Sequence, residues 1–358
     1  MTRKTVKIVN SAVQAPGARG PSSILSEYLQ KSGLNVTHDS FSDFLISINH
    51  NPRLYRDFMK QGGRPSQTVL IRLEPESVFP LQYKQAILDG YGLIITPGST
   101  KDFLDPKKFV AWPYQYNLNP NNPNILDPSL DSILSNPSWQ DLFIYENWKS
   151  RPRKLVMIAA NKVSPTKNAN YSIRRKLAKG MSPEDLEVYG PLWGGKFGDK
   201  VYHRLAVMGT NLRQGIAPHP ISVYGNLLTH YSTARGPVDN KHAILKQARF
   251  SLVVENSNHY VSEKIIDTMI NGSIPIYVGP KLEDVGLPST IAIRSSGKRE
   301  EVLEIMRKFD SKSISPILDE IREFFEGSTF LETWTGASTY EKLSRQLSNY
   351  FLKLSDSN

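Results

Sequence analysis

The chain has 358 residues, of which 39% are hydrophobic and 10% aromatic, and 44 Lys and Arg stand against 34 Asp and Glu for a formal net charge of +10. That length favours two domains over one, and that apolar content excludes a globally disordered chain. No cysteine occurs, which removes disulfides, thiolate metal sites and cysteine nucleophiles together. The start, MTRKTVKIVNSAVQAPG, lacks the apolar core of a signal peptide, and no stretch approaches the roughly 20 apolar residues of a spanning helix. These features lead to the expectation of a cytoplasmic protein.

The positive charge invites a nucleic-acid reading, but its distribution argues against one. Residues 151–180 carry nine Lys or Arg and no acid, with Tyr171 as the sole aromatic, so the interleaved stacking platforms of RNA-binding surfaces are missing. A local positive field facing a phosphate-bearing ligand or an anionic membrane fits as well, and so does a solvated basic face.

In chain order, Lys4–Asn10 reads as a strand leading into a Gly/Pro loop at 15–21, followed by a helix over Ser23–Lys31 and a short strand at Leu34–Thr37. Phe44–Ile48 is a second apolar run and Leu54–Lys60 a helix. Thr68–Leu73 (TVLIRL) is a buried strand ending at Glu74, Leu81–Leu88 a helix, and Gly92–Thr96 a strand. The Pro- and Asn-rich stretch 112–137 reads as a loop or lid, in which Trp112–Tyr116 offers aromatic faces to a sugar or to a core. Lys154–Ala160 restarts the pattern, with a helix at Ser172–Lys179, a strand at Leu186–Tyr189 and a helix at Val238–Gln247. A short strand at Ile291–Arg294, helices at Glu300–Phe309 and Ile314–Phe325, and a terminal helix over Thr339–Leu352 complete the chain. The expected domains are 1–150, 151–335 and a returning helix within 336–358, an α/β clamp that takes its ligand in the cleft between two halves.

The densest chemistry lies in 250–279, FSLVVENSNHYVSEKIIDTMINGSIPIYVG. An apolar strand runs into Glu255 and Asn256. A turn then presents Tyr260, Ser262, Glu263 and Lys264 at the mouth of a helix whose apolar face is Ile265, Ile266, Met269 and Ile270. In open α/β sheets, ligands bind beyond the carboxyl ends of strands. Ser262 is placed to cap the helix. Lys264 is a cation in a first turn, where cations are disfavoured, which points to an anionic ligand. Glu263 suits the helix dipole and equally suits vicinal sugar hydroxyls. Each residue alone has an ordinary structural explanation; all of them beyond one buried strand do not.

At these residues the chain resembles the α-1,3/α-1,4-fucosyltransferases, glycosyltransferase family 10, whose hallmark is an apolar strand into E-N-S/T, then Y-V/I-T-E-K, a helix and G-x-V/I-P-I/V-Y/V-x-G. The matching residues are FSLVVENS, YVSEK and GSIPIYVG. Upstream, GPVDNKHAILKQARFS, LEVYG and NANYSIRRKLAKG are similar to further family segments, so the resemblance covers about 154–300. Ser262 replaces the family's usual Thr, and the spacer between Asn256 and Tyr260 is shorter than in some bacterial members. The resemblance implies two Rossmann-like α/β domains facing across a cleft (GT-B type), with the C-terminal helix packing back on the first, and a bacterial-type enzyme.

By the same resemblance, the second domain holds GDP-fucose. Lys264 and Arg174, with Arg175 as the alternative, neutralise the diphosphate. Glu263 holds ribose hydroxyls, Asn256 and Tyr260 contact the phosphate–sugar region beside Ser262, and Glu255 contacts the donor or braces the loop. The family's base is a strand-end Glu, matched by Glu74 in TVLIRLEPESVFP, with Glu76 as the nearby alternative. The implied reaction is inverting transfer of L-fucose to a GlcNAc- or Glc-type hydroxyl of a glycan or glycolipid such as lipopolysaccharide. No D-x-D triplet occurs, so no metal or other cofactor is expected. A transferase for another nucleotide sugar, or a non-catalytic glycan- or nucleotide-binding protein, remains the alternative.

Overall fold

The computed structural model describes the chain apart from residues 1–3, 11–19, 38–40, 98–107, most of 113–135, 165, most of 194–228, 310 and 357–358. The Gly/Pro loop at 15–21 lies largely outside the described residues. Contacts divide the chain into two units, the first comprising 1–75, 79–130 and 328–358, the second 76–78 and 131–327.

The first unit contains β1 (Thr5–Asn10), α1 (Pro21–Lys31), β2 (Asn35–Thr37), β3 (Phe44–Ile48), α2 (Pro52–Lys60), β4 (Thr68–Ile71), α3 (Gln85–Asp89), β5 (Leu93–Thr96) and β6 (Phe109–Ala111). The six strands form one parallel sheet in the order β2-β1-β3-β4-β5-β6. Every residue of β3, β4 and β5 is buried, the pattern of a parallel sheet shielded on both faces. Ile24, Leu25 and Leu29 of α1 pack on Val6, Ile46 and Val69 together with Tyr340, Leu343, Leu347 and Phe351 of the C-terminal helix Gly336–Asp356. The Phe44 and Phe351 rings stack at 4.2 Å. Trp112 belongs to this core: its indole donates to the Thr339 carbonyl at 3.0 Å, so it is not a sugar platform, while 113–116 lie outside the described residues.

Two expectations need correction here, and one strand was not anticipated. The helix expected over Leu81–Leu88 divides at Lys84, whose backbone is extended, into a 3-10 turn at Pro80–Tyr83 and α3. The buried Gln82 amide bonds its neighbours and pins that turn. Within the expected loop 112–137, Leu118–Asn119 (β7) pairs antiparallel with Asn122–Leu126 (β8), a ladder hidden in the sequence by its Asn and Pro content. The edge strand β6, three residues long, is too short to show a periodicity.

The second unit begins before residue 150. Trp139 donates to the Ile270 carbonyl at 2.9 Å and Trp148 to the Arg249 carbonyl at 2.7 Å, which ties 131–150 to this unit rather than to the first. Its elements are α4 (Tyr145–Lys149), β9 (Arg153–Ile158), α5 (Tyr171–Gly180), β10 (Glu187–Tyr189), β11 (Ala234–Gly236), α6 (Lys241–Lys246), β12 (Ala248–Val254), α7 (Lys264–Ile270), β13 (Ile274–Val278), β14 (Ile293–Arg294), α8 (Arg299–Lys308) and α9 (Ser311–Glu326). The strands form a second parallel sheet in the order β11-β10-β9-β12-β13-β14. The return to the first unit starts at residue 328, ahead of the expected 336. Each unit is therefore a Rossmann-like sheet with interleaved helices. No described helix is long and apolar enough to cross a membrane.

Candidate functional site

The polar cluster grows from the carboxyl end of β12. Glu255 continues that strand's ladder, its N–H donating to the Val278 carbonyl at 2.8 Å, and its side chain is wholly buried. A buried carboxylate needs donors. Glu255 has Ser262 N–H at 3.0 Å, the Ser262 hydroxyl at 2.7 Å and the Lys264 ammonium at 3.9 Å. Burial raises its pKa, only partly offset by Lys264 and the Ser262 bonds. Gly279 is required beside it: a Cβ there would stand 2.5 Å from the Tyr277 hydroxyl and 2.9 Å from Glu255 Cγ.

Ser262 does not cap the helix as expected. Glu263 occupies the N-cap position of the seven-residue α7, and Ser262 Oγ, already donating to Glu255, accepts Lys264 Nζ at 2.8 Å and only a long 3.4 Å approach from Lys264 N–H. Glu255, Ser262 and Lys264 thus form a relay in which the buried carboxylate fixes the serine and the serine fixes the ammonium. Gly272, at φ +67°, ends α7: its N–H donates to the Met269 carbonyl at 2.8 Å, and Ser273 N–H to Thr268 at 3.2 Å.

Glu263 is half-buried. Burial alone would raise its pKa, but the Lys264 and Lys241 ammonium groups outweigh that and hold it low, so it stands ionised as an acceptor. One turn on, Asp267 is paired with Lys241 at 2.5 Å; burial pushes its carboxyl up to about 6 against the pull of Lys241. Lys241, Glu263, Lys264 and Asp267 line a cavity of about 90 Å³ whose apolar wall includes Ile158 and Leu245. That volume suits a few waters, well below the roughly 300–1,000 Å³ of small-molecule pockets, so the cavity by itself does not hold a nucleotide. Asp267 and Lys241 were not singled out as site residues from sequence. The i, i+4 spacing of Glu263 and Asp267 on a helix face was the available signal.

Arg174 lies against the same strand end. Its Nε and Nη2 donate to the Val254 carbonyl at 3.2 and 2.5 Å, and Nη2 also reaches Asn256 Oδ1 at 2.8 Å. The side chain is 2% exposed, and burial lowers its pKa despite nearby Tyr171 and Glu255. Arg175 points elsewhere, donating to the Lys162 carbonyl at 2.6 Å. Asn256 is half-buried and its carbonyl accepts Asn170 N–H at 3.1 Å, while Asn170 Nδ2 donates to Asn258 Oδ1 at 2.9 Å. The start of α5 is thereby sewn to the 255–259 loop. Tyr260 is buried. The structure therefore gathers Arg174, Glu255, Asn256, Ser262, Glu263 and Lys264 at one strand end, with Arg175 directed at the 162 segment.

In the first unit β4 stops at Ile71, not at Leu73 as expected, and Glu74 is half-buried in a bend beyond it. The N–H groups of Leu73 and Glu74 leave the sheet for the Asn49 side chain, at 3.0 and 3.1 Å. By contacts, Glu74 belongs to the first unit and Glu76 to the second, where neighbouring Ser77 meets Tyr171 Oη at 3.3 Å. Among the described residues no cluster of three or more His, Asp or Glu is placed to hold a metal ion.

Neither a protein-family model nor a curated protein sequence matches the chain. Solved structures do. The Anabaena protein HepE in complex with UDP-glucose is similar with a TM-score of 0.55 at 10% identity, over 97% of this chain and 100% of that one. The same protein in complex with UDP and glucose gives 0.53 at the same identity and coverage. A solved α1,3-fucosyltransferase gives 0.49 at 16% identity, over 99% of this chain and 90% of that one. With two parallel six-stranded Rossmann-like sheets, the chain has the GT-B glycosyltransferase fold.

Proposed function

We propose that this protein is an inverting glycosyltransferase that moves L-fucose from GDP-fucose to a hydroxyl of an acceptor glycan. The observation that carries the reading is the Glu255–Ser262–Lys264 relay with ionised Glu263 beside it, formed by the very residues that resemble the fucosyltransferase hallmark. A lysine fixed by a buried carboxylate through a serine is a preorganised cation, the device that stabilises a leaving diphosphate. In this mechanism Glu74 takes the proton of the acceptor hydroxyl as its oxygen attacks the anomeric carbon. The new C–O bond forms opposite the breaking one, and GDP leaves with the bonding pair. Lys264 offsets the charge growing on the diphosphate, with Arg174, which lies at the same strand end, as the second cation in place of Arg175. Glu263 accepts the ribose hydroxyls, and Asn256 and Tyr260 face the phosphate–sugar region.

Fixed cations supply what a metal would, so transfer is metal-independent in this proposal. The acceptor is a GlcNAc- or Glc-type glycan, free or on a lipid at an anionic membrane surface. A second reading has support of its own: HepE, which shares the fold, was solved with UDP-glucose, so a UDP-sugar donor is the competing choice. Incubation of the protein with GDP-fucose, GDP-mannose and UDP-glucose over a glycan array, with and without EDTA, decides between them. Transfer from GDP-fucose that survives EDTA supports the proposal. Transfer from UDP-glucose alone replaces it, and loss with EDTA removes the metal-independent mechanism.

A further inference from the structure

Around Glu74 the first unit holds a buried polar assembly whose hydrogen bonds converge on one stretch of backbone. Asn49 follows β3 directly and is one of two described non-glycine residues at positive φ, +54°. Asn tolerates the left-handed region better than most residues, yet the conformation persists only where its surroundings impose it. Here it turns the carboxamide across to the end of β4. The single Oδ1, in a side chain 4% exposed, accepts Leu73 N–H at 3.0 Å, Glu74 N–H at 3.1 Å and Gln82 Nε2 at 3.3 Å.

Gln82, fully buried, closes the circuit. Its Nε2 also donates to the Glu74 carbonyl at 2.8 Å, and its Oε1 accepts His50 N–H at 3.3 Å. Tyr83 Oη donates to that same Glu74 carbonyl at 3.1 Å. Ser47 secures Asn49 from behind, its hydroxyl donating to the Asn49 carbonyl at 2.7 Å. Both backbone polar groups of Glu74 are thus held by side chains, not by the sheet. Polar side chains buried to this degree cost stability unless fully bonded, and a hydrophobic residue would serve packing better. Their common target is the backbone of one residue.

We propose that Asn49 and Gln82 are positioning residues for Glu74, fixing the bend that sets its carboxylate for proton abstraction. This inference rests on the reading of Glu74 as the base. A base misplaced by about 1 Å loses on the order of a hundredfold in rate.

Asn49→Gly and Asn49→Asp separate conformation from hydrogen bonding, since both tolerate positive φ and only Asp keeps the acceptor oxygen. Amide hydrogen exchange at Leu73 and Glu74 reads the bend without any substrate. It is expected to quicken at least tenfold in Asn49→Gly and to stay near wild type in Asn49→Asp. With GDP-fucose and N-acetyllactosamine as probes, Asn49→Gly is expected to lower kcat by about a hundredfold with the donor KM within twofold. Asn49→Asp is expected to recover most of the loss. Tyr83→Phe, a milder change should Asn49→Gly fold poorly, is expected to lower kcat several-fold at an unchanged melting temperature. Unchanged exchange at both amides in folded Asn49→Gly overturns the inference, as does failure of Asn49→Asp to restore either readout. Full turnover by Glu74→Gln, alongside quickened exchange in Asn49→Gly, shows that the base assignment failed while the bend was read correctly.

Discussion

Lys264 and Glu263 are adjacent in the chain and differ in what removing each should do. Lys264 owes its place to Ser262 Oγ and to buried Glu255, so in the proposed mechanism it is preorganised for a charge that grows in the transition state. Lys264→Met should therefore lower kcat by about a hundredfold or more, the usual loss for one preorganised stabiliser. Glu263, held ionised by Lys264 and Lys241, would bind ribose equally in ground and transition states. Glu263→Gln should raise the donor KM about tenfold with a smaller change in kcat, and steady-state kinetics with GDP-fucose distinguish the two patterns. His50 sets a pH dependence of folding. It is buried, with Nδ1 2.8 Å from Tyr91 Oη, and burial lowers its pKa from 6.5 to about 4. The folded state then binds fewer protons than the unfolded state between those values. Stability is full above pH 6.5 and falls as pH drops toward 4, by about 3 kcal/mol over the window. Urea unfolding at pH 7, 5 and 4 should show that slope, and His50→Gln should flatten it. His242, also lowered to about 4 by burial, acts in the same direction in the second unit, whereas Asp267, raised to about 6, opposes it between 3.8 and 6.

The strands and helices that position the candidate site were legible to different degrees. β12, α7 and β13 stand in the sequence as an apolar run, a 3.6-residue stripe and a second apolar run, and they fold as read. The helix cap was not legible. Ser262 has the right residue type one step early, but the buried Glu255 carboxylate captures its hydroxyl, and a partner seven residues upstream leaves no local pattern. Trp112 illustrates the same limit, since its role depends on Thr339, 227 positions away. Gly279 reports how tightly the strand ends are packed. Its replacement by Ala brings no strain at positive φ, because only contact is at issue, yet the added Cβ would press on Tyr277 Oη and on Glu255 Cγ. Gly279→Ala should cost about 1–3 kcal/mol by overpacking, and it should lower kcat/KM by tilting the carboxylate that fixes Ser262. Thermal melting and kinetics on the same preparation test both effects; an unchanged kcat/KM in a destabilised variant would detach the brace from function.

At the scale of the molecule, the +10 charge bears on where the protein works. If it serves an acceptor on an anionic surface, binding to phosphatidylserine-containing vesicles should exceed binding to neutral ones at 0.15 M salt and fade at higher salt as screening shortens the field. Equal binding to both would remove the membrane from the proposal. The alternation of strand and helix patterns was enough to specify two parallel α/β units, because buried strands and amphipathic helices each leave a periodic hydrophobic record in the local chain. The block 250–279 likewise declared its polar chemistry by composition alone. The boundary between units was not written locally. Residues 131–150 join the second unit because Trp139 and Trp148 find backbone acceptors at Ile270 and Arg249, far along the chain. The same is true of the roles inside the site. Sequence nominated Glu255, Ser262 and Lys264 as a set, but only their burial and distances make one the anchor, one the link and one the half-buried charge. Asn49 and Gln82 carried no signal, since their hydrogen bonds join segments that are distant in sequence and adjacent only once the sheet has formed.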